Sequence, residues 1–156
     1  MSDTVLGSPK PLIPALAPIT QALSPLVEPG LRVATGLFLV PHGAQKLFGW
    51  FGGYGIAGTG EFFATKLGLP ASFAVLAGGI ELVGGLALAL GFATRATAAL
   101  VAALMAVAVV KVHLAQGFFW TDGGYEYPLL WGLLALGYVI RGGGRLSLDA
   151  LIGREV

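Results

Sequence analysis

Cysteine is absent from the 156 residues. The chain therefore forms no disulfide, no dithiol redox centre, no thiolate metal site and no thioether link to haem. Charge is scarce too: 11% of the residues are Asp, Glu, Lys or Arg, against about 25% in soluble domains. The net charge of +1 lacks the basic excess that would point to nucleic acid. Histidine occurs only at His42 and His113, so few side chains change charge near neutral pH. An early basic segment followed by an unbroken apolar run is also missing, and the N-terminus does not read as a secretory signal.

What is abundant is apolar surface, 56% of the residues. Residues 71–91, ASFAVLAGGIELVGGLALALG, carry one charge, Glu81, at their middle. As a helix this stretch spans about 30 Å, the thickness of a bilayer's hydrocarbon core. A carboxylate at that depth costs about 2.5–3.5 kcal/mol on insertion scales unless it faces protein or water. Ala77, Gly78, Gly84 and Gly85 stand three or four residues either side of Glu81. The Glu81 face is thus the small-residue face, where another helix approaches closely.

The same reading predicts an all-α integral membrane four-helix bundle over residues 30–152, with spans at about 30–50, 71–91, 94–116 and 125–140. Residues 1–29 hold six prolines, a density that predicts a loose arm, since each proline removes a helical hydrogen bond. Between spans 1 and 2, Thr59 is expected to cap a short interfacial helix over residues 60–67. Residues 141–156 form a tail outside the membrane, with a helical turn after Ser147. Arg32 and Arg95 read as anchors on the cytoplasmic side. Four spans place both termini on one side with six Lys and Arg residues, against Lys46, Lys66 and Lys111 opposite; this favours termini inside.

Polar side chains mark the functional region. His42, Gln45 and Lys46 share a face of span 1 at i, i+3 and i+4. His113 lies on the small-residue stripe of span 3, and Glu126 begins span 4. His42, Gln45, Lys46, Glu81, His113 and Glu126 are expected to converge in the outer half of the bundle. Two readings stand side by side: buried ion pairs that set helix register, or a polar cavity that binds a small head group such as a quinone, or passes protons. The two histidines sit at different estimated depths, which disfavours a bis-histidine haem. No close-spaced ligand motif marks a metal site.

The segments HGAQKLFG, GTGEFFATKLGLP, AGGIELVGGLALALGFATR, MAVAVVKVHLAQGFF, GGYEYPLL and GRLSLDALI, in that order, resemble the DoxX family over residues 31–152. The resemblance implies a small four-helix protein of the bacterial inner membrane. Relatives include a membrane subunit of a thiosulfate:quinone oxidoreductase and proteins linked to oxidoreductase complexes. The family's recurrent polar positions match His42, Lys46, Glu81, His113 and Glu126. The expected role is a membrane subunit or anchor of an oxidoreductase system with a quinone-accessible site. The expected partners are the lipid bilayer, a redox partner protein and further copies of the chain, with no nucleic acid. A proton or small-solute transporter and a purely structural anchor are the alternatives.

Overall fold

The computed structural model describes residues 10–155. Helix α1 runs Ala17–Phe48. Helix α2 is Gly55–Phe62, continued by a widened π turn over Phe63–Leu67. Helix α3 is Phe73–Leu90, α4 is Thr94–Gln116, α5 is Glu126–Arg141 and α6 is Leu148–Ile152. The architecture is all-α. The helices containing residues 17–48, 73–90 and 94–116 are each long and apolar enough to cross a membrane. Helix α5, with 16 residues, is about 24 Å long. It nevertheless reaches both ends of the bundle: Arg95, at the start of α4, donates to the Val139 carbonyl at 2.8 Å. At the other end Glu126 meets the loop that follows α4.

Packing is strongest in two pairs, α1 with α3 and α4 with α5. Glycines set the first. A Cβ on Gly36 would run into the backbone of Gly85 and Ala89, and one on Gly43 into the backbone of Gly78 and Leu82. The two helices therefore touch main chain to main chain, the contact that small residues permit in a bilayer. The second half of α3 joins this pair to α4. Leu39, Val101, Met105 and Ala135 form one apolar cluster at mid-bundle. Leu88, Ala98 and Tyr138 form another toward the end where α3 turns into α4.

That end is closed by the tail, and here two expectations fail. Arg32 is no surface anchor but is 3% exposed. Its guanidinium donates to the carbonyls of Leu146 at 2.7 Å, Ala89 and Gly143. Those carbonyls lie at chain reversals and at the end of α3, so a buried arginine satisfies groups that no helix can. The proline-rich arm is not loose throughout either, because α1 starts at Ala17 and continues through Pro25 and Pro29. Pro18 sits at its first turn, where a missing N–H costs little. Pro25 frees the Gln21 carbonyl, and Ser24 Oγ lies 3.5 Å from it. The stretch is exposed, so no neighbour forbids the bend that proline introduces. Pro9 and the residues before it lie outside the described residues. Thr59 is not a cap but a buried residue inside α2, which begins five residues earlier than expected for its helix, at Gly55.

The helical turn of the tail forms as its sequence suggests: Ser147 Oγ accepts the Ala150 N–H at 3.1 Å. Asp149 then reaches across to α4. Its carboxylate accepts the N–H groups of Ala93 at 2.7 Å and Thr94 at 2.8 Å, and the Thr94 hydroxyl at 2.6 Å. Ala93 has φ +44°, a left-handed conformation costing about 1–2 kcal/mol for a residue with a Cβ. The carboxylate holds it there while capping α4. Burial alone would raise the Asp149 pKa, but the bonds from Thr94 and Ala93, helped by the Arg32 charge, bring it below the ordinary aspartate range.

Two tests follow from this architecture. Gly43→Ala should destabilise the protein by about 1–3 kcal/mol through forced separation of α1 and α3. Gly30→Ala, on the same helix with nothing within 4 Å, should be neutral or slightly stabilising; melting in detergent distinguishes the two. For Asp149 the folded-state pKa is depressed, so its contribution is present above the unfolded value near 4 and is lost as pH falls through the folded value. Protease cleavage of the tail should accelerate on acidification below about pH 4. Asp149→Asn should expose the tail already at neutral pH, at a cost of about 1–3 kcal/mol, and flatten that pH dependence.

Candidate functional site

At the end opposite the tail the helices diverge around a cavity of about 1310 Å³. Each wall is one helical stripe. Helix α1 presents Phe38, His42, Gln45 and Lys46. Helix α3 presents Phe73, Leu76, Ala77, Ile80 and Glu81, spaced i, i+3, i+4, i+7, i+8. Helix α4 presents Leu100, Ala103, Leu104, Val107 and Ala108 at the same spacing, the pattern of a single face. Helix α5 adds Tyr127 and Trp131, and α2 roofs the space with Thr59, Phe62 and Lys66.

The polar focus is the pair Lys46–Glu81. Lys46 Nζ donates to both carboxylate oxygens, at 2.8 and 2.6 Å. The Glu81 side chain is 7% exposed and the Lys46 side chain 27%, so the cation forms the cavity's edge of the pair and the anion lies behind it. The glycine seam makes this possible, since Gly43 and Gly78 bring the two backbones together at the level of the pair. Losing either partner would leave a charge with no compensation at bilayer depth.

His113 stands at the cavity's outer rim. Its Nδ1 lies 2.6 Å from the Gly123 carbonyl. A carbonyl only accepts, so the neutral ring carries its proton on Nδ1 and leaves the Nε2 lone pair free to take up another. Three helices widen into π turns at this cavity, over Phe63–Leu67, Ile80–Gly84 and Ala108–His113. They carry Lys66, Glu81 and His113. Such turns re-aim side chains and often mark functional positions.

Five of the six expected site residues therefore line one space: His42, Gln45, Lys46, Glu81 and His113. Glu126 does not join them. Its carboxylate accepts the Trp120 N–H at 3.2 Å and ties down the loop between α4 and α5. A first-turn carboxylate has this use in stabilising its own helix and nearby N–H groups. Gln45 Nε2 is 3.3 Å from the Phe51 carbonyl, so it also braces a loop.

One wall of the cavity is aromatic. Trp120 stacks on Tyr127 with ring centres 5.3 Å apart and planes 13° apart. Tyr127 meets Trp131 edge to face, and Trp131 meets Phe38 at 6.1 Å. The Trp131 indole N–H donates to the Thr35 carbonyl, which fixes the ring's orientation. The i, i+4 spacing of Tyr127 and Trp131 was the available signal.

The DoxX family model matches residues 30–114. This chain belongs to the DoxX family. It is similar to a Bacillus subtilis protein named "Putative oxidoreductase CatD", 33% identical over 122 residues, covering 78% of this chain and 84% of that protein. An uncharacterized protein of Haemophilus influenzae is 36% identical over 122 residues, covering 76% of this chain and 85% of its own length. No solved structure matches the chain. The chain is thus a DoxX membrane protein in contact with the lipid bilayer, with a relative whose name carries an oxidoreductase role.

The coupling of Lys46 and Glu81 can be measured directly. Lys46→Met alone should cost about 3–5 kcal/mol of stability, because Glu81 is left as an unpaired buried charge. The double variant Lys46→Met/Glu81→Leu should recover most of that loss. A thermal-unfolding double-mutant cycle reads the coupling, and additive losses would show that the pair is not energetically linked.

Proposed function

We propose that this protein is the membrane subunit of an oxidoreductase system and that its cavity binds the ring head of a quinone. The observation that carries this reading is the placement of the Lys46–Glu81 pair. It faces an aromatic-walled cavity at bilayer depth instead of being sealed in a packed core. A flat ring stacks favourably against Tyr127 and Trp131. Lys46, with one donor beyond the two it gives Glu81, stabilises negative charge developing on a ring oxygen. His113 Nε2, His42 or Glu81 then handles the proton. Reduction of the ring takes two electrons and two protons. The electrons come from a partner protein, and the name of the Bacillus subtilis relative supports that setting.

The orientation that fits is an inner-membrane protein crossed by α1, α3, α4 and α5. The tail lies in the cytoplasm and the cavity opens toward the outer leaflet, in line with the excess of Lys and Arg at the tail end. A continuous solute path is less well supported. The cluster of Leu39, Val101, Met105 and Ala135 floors the cavity with apolar side chains and offers no polar route to the tail end.

Protein in phosphatidylcholine nanodiscs, titrated with a water-soluble dimethoxy-methyl-benzoquinone, should show saturable quenching of tryptophan fluorescence. Lys46→Leu/Glu81→Leu, chosen to keep the pair balanced, should weaken binding at least tenfold. Deleting the protein from its host should lower quinone-linked oxidation in isolated membranes, restored by the wild type and not by the double variant. Unsaturable quenching that is identical in both proteins would remove the quinone reading.

A further inference from the structure

We infer that the cavity is entered sideways from the bilayer, through a portal between the first half of α3 and the middle of α4, and that its occupant keeps a single apolar chain in the lipid through this gap. The inference rests on the head-group reading above and adds the route and the chain.

The walls are unequal. Toward water, α2 covers the cavity with Phe62 and Phe63, and the loop after α4 is held over it by the His113–Gly123 contact. Toward the tail, the mid-bundle cluster closes it. Toward lipid, α3 changes partners along its length. Its first half, Phe73–Gly79, packs on α1 and α2, while its packing on α4 comes chiefly from Ile80 onward. The α4 stripe facing this gap is apolar at each position, and Leu76, Leu100 and Val107 at its margins are 54%, 56% and 43% exposed. Counted along the helices from the Gly91–Ala93 turn, Glu81 and Leu104 lie at similar depth, about 15 Å from it. The gap thus opens at hydrocarbon depth, directly beside the ion pair.

In a bilayer a chain gains little by moving from lipid into an apolar groove, since lipid tails are as apolar as the groove. The portal's effect is steric: it lets the head reach Lys46 while the chain stays where it is already soluble. A ring without a chain does not need it. Ala103 and Ala108 are the smallest side chains in the α4 stripe and add the least bulk to the gap. Two chains on a phosphate head fit this less well than one chain on a flat ring.

The experiment compares two probes in phosphatidylcholine nanodiscs by tryptophan quenching: the water-soluble dimethoxy-methyl-benzoquinone, and the same ring bearing a decyl chain. Gly79→Phe on α3, where a side chain meets nothing within 4 Å, and, separately, Val110→Phe on α4, an exposed position outside the cavity lining, narrow the gap from its lipid side without touching the ion pair or the cavity walls. Each should weaken the decyl compound at least tenfold while changing the chainless ring less than threefold. Equal weakening of both probes, or no weakening of the decyl compound in either variant, would overturn the portal while leaving the head-group site standing. Absence of binding by either probe to the wild type would overturn the head-group reading and the portal with it. Loss of binding of both probes on replacing phosphatidylcholine by phosphatidylglycerol would identify a phospholipid as the occupant and overturn the single-chain assignment.

Discussion

The close contact of α1 with α3 is the constraint on which the rest depends. In lipid there is no hydrophobic gain from bringing two apolar helices together, so association relies on van der Waals fit and on polar pairs. Gly36 and Gly43 on one helix, and Gly78 and Gly85 on the other, remove the side chains that would hold the backbones apart. This contact sets where everything longer must go. Lys46, one turn beyond Gly43, lies within reach of Glu81, one turn beyond Gly78. Arg32, one turn before Gly36, reaches the Ala89 carbonyl near the end of α3. One seam therefore places a cation at each of its ends, Arg32 buried and Lys46 half-buried, with opposite consequences.

At the tail end the cation is enclosed. Arg32 finds three carbonyls, and Asp149 locks the adjacent turn. At the far end the cation meets a carboxylate and then empty space. The difference follows from what surrounds each group. The tail folds back and supplies acceptors to Arg32, whereas α2 crosses over the Lys46 end as a roof and does not fill it. An ion pair beside apolar walls invites a ligand that is itself part polar and part flat. The chain of contacts from Trp120 through Tyr127 and Trp131 to Phe38 offers such a ligand a face to stack on.

Much of this was legible in the sequence because helix periodicity converts spacing into direction. Small residues flanking Glu81 implied that it points at a neighbour, and the spacing of His42, Gln45 and Lys46 implied a shared face; both hold. The failures come from properties that periodicity does not encode. Proline density argued against a helix in the arm, but proline's cost is local, and an exposed helix whose freed carbonyls reach a serine or solvent tolerates it. Arg32 looked like an anchor because its acceptors, the Gly143 and Leu146 carbonyls, lie more than a hundred residues away. Glu126 looked like a cavity residue because its helix position was right; the loop N–H that captures it depends on the fold of residues 117–125. Trp131 carries no distinguishing pattern of its own, because an aromatic residue in an apolar helix is ordinarily packing, and only its neighbours make it a wall.

The two ends also differ in how they hold together, and this bears on how a membrane protein of this size keeps an open cavity at all. A bundle with a void at mid-bilayer loses the dispersion contacts that would have filled it. The helices must then be held by contacts elsewhere. Here they are concentrated at the tail end: Asp149 joins the tail to α4, Arg32 joins α1 to α3 and the tail, and Tyr138 Oη donates to the Glu28 carbonyl at 3.2 Å to join α5 to α1. Arg95 adds a bond from α4 to α5 and an ion pair to Glu155. These cross-links connect all four long helices at one level. The four long helices are therefore cross-linked at one end, while at the other α3 keeps its contact with α1 and stands apart from α4 before Ile80. On this view the tail matters to the cavity although it never touches it, because a looser clamp would let α1 and α3 shift together and change the width of the gap beside Glu81.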